Sequence, residues 1–187
     1  MGTLSIIPLF LLGLAVYVVR VYNDLIRKRN HVDEAFSGID VQLKKRADLV
    51  PNLVQTVKGY ARHERFLLEE VTRLRTQAAQ AGLQADIRER ARTESLLGAA
   101  LTRLLALAES YPDLKANQNF LDLQRQLALV EDDLQLARRY FNGTVRNLNI
   151  RIESFPGNMV AKAFGFAARD FFTLEDPADR RPPEVAV

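Results

Sequence analysis

The chain opens on a run, MGTLSIIPLFLLGLAVYVV over residues 1–19, that is apolar on every helical face and carries no charged side chain. As a helix, residues 1–22 would span about 33 Å, close to the roughly 30 Å hydrocarbon core of a bilayer. Pro8 and Gly13 fall inside it, and membrane helices tolerate both. Beyond this run the pattern becomes one-sided. Val32, Phe36, Ile39 and Leu43 recur at spacings of four and three, a single apolar stripe. No helix breaker lies between Leu14 and Ser37, so one helix from about Leu4 to Ala47, roughly 66 Å long, is expected.

Pro51 biases Val50 away from helical geometry and marks a corner, with Asp48 as the cap of the next helix. That second helix carries Leu53, Val54, Val57, Tyr60, Ala61, Leu67, Leu68, Val71 and Leu74 on one stripe and fades toward Gly82, a C-terminal cap. A third helix is expected from about Asp86 to Glu109, on Leu97, Leu101, Leu104, Leu105 and Ala108. Tyr111-Pro112-Asp113 is the next corner. The fourth, from about Asn117 to Glu153, keeps a three-four repeat through Phe120, Leu127, Leu134, Phe141, Leu148 and Ile152, the mark of bundle packing. Phe155-Pro156-Gly157 ends it. Asn158 then caps a short helix over residues 159–167, with Phe164, Phe166, Phe171 and Phe172 at its end or beyond.

The fold class that follows is all-α: an N-terminal transmembrane helix over residues 1–19 continuing into an antiparallel up-and-down bundle over 20–174. The bundle has four long helices and a short C-terminal one. The proline-rich stretch 175–187 is expected to be a disordered tail. With 187 residues, nearly half of them hydrophobic, the chain can build one ordinary core.

The flanks of the apolar run refine its reading. A cleaved signal peptide is disfavoured, because no basic region precedes the run and no small-x-small site follows it. Tyr17 and Tyr22 stand where interfacial aromatics belong. Arg20, Arg27, Lys28 and Arg29 follow on the C-terminal side, each able to gain about 1 kcal/mol near an anionic leaflet. The positive-inside rule places the N-terminus outside and the bundle in the cytoplasm. The expected location is therefore a bacterial inner membrane, crossed once.

Candidate chemistry is sparse. There is no cysteine, which removes thiolate metal sites and a cysteine nucleophile. His63-Glu64 begins like a zinc-protease helix, but Leu67 stands where the second histidine is needed. Glu69-Glu70 and Glu131-Asp132-Asp133 are adjacent residues that diverge on a helix, and solvated faces are the better reading. No nucleotide-binding loop or nucleophile elbow occurs. A net charge of +3, with bases interleaved among acids, gives no reason to expect nucleic acid. No cofactor and no enzymatic activity are expected.

Four blocks carry a resemblance. They are YNDLIRKRNHVDEAFSGIDVQLKKRADLVPNLVQTVKGYARHE, YPDLKANQNFLDLQ, EDDLQLARRYFNGTVRNLN and ESFPGNMVAKAFGF, together covering about residues 22 to 166. In content and order they resemble the LemA family. The resemblance implies a membrane helix followed by an antiparallel helical bundle, without an established enzymatic activity, and one branch is similar to magnetosome membrane proteins. Two positions depart from the family's pattern. Phe36-Ser37-Gly38 stands where a tryptophan is more common, and Phe141 replaces a common tyrosine; neither alters the fold expected.

The polar residues around Pro51 admit two readings. Asp40 and Lys44 can pair along one helix, as can Asp24 and Lys28. Asp48 and Asn52 can satisfy backbone groups at the corner, and Arg138, Asn142 and Asn149 lie on the fourth helix. As a recognition surface, which the resemblance suggests, these seven would bind a partner. As caps and interhelix hydrogen bonds they would fix register, and this reading is favoured. The C-terminal phenylalanines are read as packing across the bundle end in preference to lying on a membrane. The function expected is a membrane-anchored scaffold or adaptor that self-associates, with the bilayer and other membrane proteins as partners. A membrane-shaping homo-oligomer is the alternative.

Overall fold

A computed structural model of the chain describes residues 3–61, 63–84 and 86–173. Among these residues there are six helices and no strand: α1 (Thr3–Tyr60), α2 (Arg65–Gln84), α3 (Ile87–Ala108), α4 (Pro112–Lys115), α5 (Gln118–Glu153) and α6 (Gly157–Ala163). The expected all-α class, with four long helices and a short last one, is therefore found, and α4 adds a single turn at the Tyr111-Pro112 corner. The expected tail at 175–187 lies outside the described residues.

The corner at Pro51 is not there. α1 runs through it and ends thirteen residues later than expected, at Tyr60. A proline inside a helix costs about 3 kcal/mol or more, because it removes one backbone donor and crowds the carbonyl four residues earlier. Two features offset this here. That carbonyl belongs to Ala47, and the Arg75 Nε donates to it at 3.3 Å. Val50, Leu53 and Val57 are buried on the inward face, while Pro51 itself is exposed. Each such buried aliphatic contributes roughly 1.5–3 kcal/mol, so three outweigh one proline. The turn falls instead after Gly59-Tyr60, with Glu64 accepting the first backbone bond of α2 from Leu68. Gly82 likewise lies within α2 rather than past its end.

The chain divides into two compact units. One comprises Ile39–Leu136 with Phe171–Val187. Its core is shared by the second half of α1 (Val50, Leu53, Val57), α2 (Leu68, Val71, Leu74, Ala78), α3 (Leu97, Leu101, Leu104) and the start of α5 (Phe120, Leu127), with Leu114 of α4. Long-range contacts give the directions. The Asn117 Nδ2 donates to the Tyr60 hydroxyl and Arg46 meets Glu131, so α1 and α5 run antiparallel. Asn117 also caps α5, its Oδ1 accepting from the Phe120 N–H at 3.0 Å.

The other unit comprises Met1–Gly38 and Ala137–Asp170. Here Asp24 pairs with Arg151 and Phe36 packs on Phe141, ring centroids 5.5 Å apart, again an antiparallel helix pair. The two departures from the family pattern thus form a single aromatic contact. α6 starts at Gly157, ahead of Asn158, and the chain makes no side-chain cap there. A methyl group at Gly157 would stand 3.0 Å from the Arg151 carbonyl, a tight contact that needs the backbone to give by a few tenths of an ångström. α6 ends four residues short of expectation. Gly165 turns to φ +72°, its N–H bonds the Lys162 carbonyl, and the Phe166 N–H bonds the Ala161 carbonyl. This paired closure uses the one residue type that enters the left-handed region without penalty.

Candidate functional site

In the unit built on Ile39–Leu136, the apolar stripe of α1 continues as Ile39, Leu43, position 46, Val50, Leu53 and Val57. Position 46 is an arginine, and it is only 1 % exposed. A charge so buried requires partners. The Arg46 Nη1 donates to Glu131 Oε1 of α5 at 2.6 Å. Its Nη2 donates to the Glu94 carboxylate of α3 and, at 3.1 Å, to the Glu94 backbone carbonyl. Burial pushes the guanidinium toward the neutral form, but the charges of Glu131 and then Glu94 prevail, and its pKa stands above the ordinary value. One turn beyond Glu94, Gly98 lies beside the guanidinium, where a methyl would make an ordinary van der Waals contact of 3.6 Å with Nη1. One turn before it, the Arg90 Nη2 meets Asp40 Oδ1 at 2.5 Å. Asp40 and Arg46 therefore advance along α1 as Arg90 and Glu94 advance along α3, and these two helices run parallel.

This arrangement can bolt three helices in register. The Arg46–Glu94 pair lies inside the protein, while the Glu131 and Asp40 side chains keep exposures of 36 % and 45 %. Among the described residues no group of three or more His, Asp and Glu side chains is placed to hold a metal ion. Glu131, expected on a solvated face, keeps a side-chain exposure of 36 % and also pairs with Arg46, a partner the spacing did not reveal. Arg46, Arg90 and Glu94 were not singled out from the sequence at all. The signal was present: Arg46 and Glu94 each occupy a position where the three-four repeat demands an apolar residue.

A groove of about 880 Å³ lies on the same unit, between the end of α1 and the start of α2. Val54 and Leu68 supply apolar surface, and Lys58, Arg65, Arg73 and Glu69 supply charge. Beside it in sequence, Phe66 is 82 % exposed.

The seven polar residues expected to form one cluster divide between the units. Asp40 pairs with Arg90, not with Lys44, and Lys44 reaches Asp48 at 3.2 Å on the exposed face. Asp48 and Asn52 are interior residues of α1 and cap nothing; the Asn52 carbonyl accepts the Thr56 hydroxyl as any helical carbonyl can. Arg138, Asn142 and Asn149 belong to the other unit, all half-buried. Asn149 clasps the segment after α6. Its Nδ2 donates to the Arg169 carbonyl and its Oδ1 accepts the Arg169 N–H, both at 2.9 Å. The Arg169 guanidinium meets Asp33 of α1 at 3.3 Å.

The residues expected at a membrane surface all lie on α1. Its first part has an 18-residue window of mean hydropathy 1.7, only 11 % buried, and among the described residues α1 alone is long and apolar enough to cross a membrane. Ile7, Leu9, Phe10, Leu11, Leu12 and Leu14 are all exposed. Tyr17 is half-buried and Arg20 exposed. Tyr22 is a packing residue, its ring 4.9 Å from Phe164 and 5.8 Å from Phe166. The Arg29 guanidinium lies 5.7 Å above the Phe166 ring. Arg27 pairs loosely with Asp24 at 4.0 Å, where Lys28 had been the expected partner, and Lys28 is half-buried.

A model of the LemA family matches residues 35–186, most of the chain. The chain belongs to the LemA family. The family match starts beyond the apolar stretch and takes in α2 to α6 entirely. Protein LemA of Metamycoplasma hominis is 27 % identical over 149 residues, covering 79 % of this chain and 66 % of that protein. Magnetosome protein MamQ 2 of Paramagnetospirillum magneticum is 25 % identical over 184 residues, covering 86 % of this chain and 67 % of its own length. Magnetosome protein MamQ of Magnetospirillum gryphiswaldense is 24 % identical, covering 96 % and 74 %. The chain thus spans about two thirds to three quarters of the curated relatives it matches.

Proposed function

We propose that this LemA-family chain is a single-pass membrane scaffold: residues 1–19 cross the inner membrane with the N-terminus outside, and the helical bundle presents surfaces to partners in the cytoplasm. The observation that carries this reading is one continuous helix with two kinds of surface. Exposed on all sides from Ile7 through Val16, α1 becomes one-sided from Val21 onward, where its inward residues join a packed core. An apolar helix exposed all round needs lipid or protein cover, whereas a one-sided helix belongs to a water-soluble bundle. The paired internal charges favour a structural role over turnover. The groove between α1 and α2, with three cations to one anion and an apolar floor, suits an amphipathic partner helix with an acidic edge.

A second reading, a homo-oligomer that organises a membrane, is favoured by the likeness to proteins named for the magnetosome. Mass measurement in mild detergent separates the two, since a discrete large homo-oligomer supports the second and a monomer holding a foreign protein the first. Because the chain has no cysteine, topology is readable by single substitutions. Ser110→Cys, exposed beyond α3, should resist a membrane-impermeant maleimide in spheroplasts and react after lysis. Equal labelling in intact spheroplasts refutes the orientation, and release by alkaline carbonate refutes the anchor.

A further inference from the structure

At the point where α1 leaves its apolar stretch, the unit formed by Met1–Gly38 and Ala137–Asp170 carries a hollow of about 600 Å³. Tyr17, Arg20, Asn23, Asp24 and Arg27 line it from α1 and Arg151 lines it from α5. We propose that this hollow binds the phosphate of an anionic membrane lipid. The inference rests on the membrane-spanning reading above.

Charge comes first. Three guanidinium groups surround one carboxylate. Asp24 takes the Arg151 Nε at 3.0 Å and Arg27 more loosely at 4.0 Å, and Arg20 has no acidic partner among the described residues. Each guanidinium has five N–H donors in a planar fork suited to phosphate oxygens, so one carboxylate leaves most of them unused. The Asp24–Arg151 ion pair also keeps the Arg151 guanidinium beside the hollow before any ligand arrives.

Depth comes second. Arg20 directly follows Val19, the last residue of the apolar run, and Asp24 lies about 6 Å further along the helix. The headgroup layer outside the hydrocarbon core is of this thickness. Lipid phosphates therefore pass at the level of Arg20, Asn23 and Asp24. Apolar surface comes third. Val16 and Val19 are exposed on the adjoining turns, so acyl chains can follow α1 downward from the hollow. A free phosphate would use the donors and leave that surface bare. The chemistry shared by the two is a phosphate oxyanion, and the lipid alone engages both halves of the site.

The full chain, purified in detergent micelles doped with phosphatidylglycerol, is examined by native mass spectrometry for retained lipid. Arg20→Gln/Arg27→Gln should weaken retention about thirty-fold, and Arg20→Gln alone about five-fold. Lys28→Gln/Arg29→Gln removes the same charge from residues that do not line the hollow and lie about 12 Å or more beyond Arg20 along the helix, and should change retention less than three-fold. Equal losses in the two double variants would overturn the site, leaving only general attraction. So would phosphatidylcholine retained as tightly as phosphatidylglycerol. Displacement of the lipid by millimolar inorganic phosphate would overturn the lipid assignment. Micelle binding does not depend on insertion. A chain released by carbonate that still discriminates in micelles sinks the anchor alone, and an integral chain that does not discriminate sinks the site alone.

Discussion

Replacing Arg46 with methionine tests the central bolt of the bundle. Methionine fills a similar length of space but leaves two carboxylates without their cation. The two differ in consequence. Glu94 is 5 % exposed, so its charge has little recourse to water, whereas the Glu131 side chain is 36 % exposed and can be solvated. Removing one partner of a buried ion pair costs about 3–5 kcal/mol, most of it from the charge left behind. At roughly 2–4 °C per kcal/mol for a chain of this size, Arg46→Met should lower Tm by about 6–20 °C. Arg46→Met combined with Glu94→Leu removes both deeply buried charges, and such replacements are often neutral or better. The pair should therefore recover most of the loss, a coupling well above the few tenths of a kcal/mol of independent sites.

The same contact fixes a pH dependence. The pKa of Arg46 is raised in the folded state, so its contribution is complete below the ordinary arginine value and is lost only as pH climbs through the higher folded-state value. The gap in stability between wild type and Arg46→Met should thus be the same at pH 7 and pH 10. Thermal and urea unfolding followed by circular dichroism at both pH values measure all of this. A single variant within about 1 kcal/mol of wild type, or a double variant no better than the single, refutes the reasoning.

Three further outcomes follow from the same contacts. Arg75→Met should destabilise by about 1–2 kcal/mol while Pro51 is present and much less in Pro51→Ala, where the Ala47 carbonyl regains its backbone donor; equal effects in urea unfolding would separate Arg75 from the proline. Asn149→Leu removes both bonds to Arg169, and limited proteolysis should cut the segment after Gly165 sooner with the helical signal unchanged; an unaltered cleavage rate would show that the clasp holds nothing. Asp48→Ala/Asn52→Ala, which would melt a capped corner, should shift stability by no more than about 0.5 kcal/mol in an uninterrupted helix, and a fall of several degrees in Tm would restore the corner.

Much of the fold was legible in residue spacing. The repeat from Phe120 to Ile152 placed the fourth long helix at about 117–153, and α5 spans Gln118–Glu153. The uncharged leader and the one-sided stripe after it separated a lipid-suited surface from a core-suited one. These features are local, because helix period and apolar content depend on neighbours a few residues apart. The candidate sites were less legible. A charge in an apolar repeat at position 46 could have been noticed, but its partners lie 48 and 85 residues away, and spacing within one helix does not say which helix comes alongside.

The sequence by itself thus determined that the chain is helical, where most helices lie, and which stretch is suited to a membrane. Tertiary structure decided where α1 ends, because Arg75, 28 residues beyond, satisfies the carbonyl that Pro51 leaves without a donor. It decided that Arg46 and Glu94 go inside, because a buried charge is tolerable only when another helix brings the opposite one. It also decided that the segment after α6 folds back onto Asn149, because the bonds that hold it join residues 20 apart.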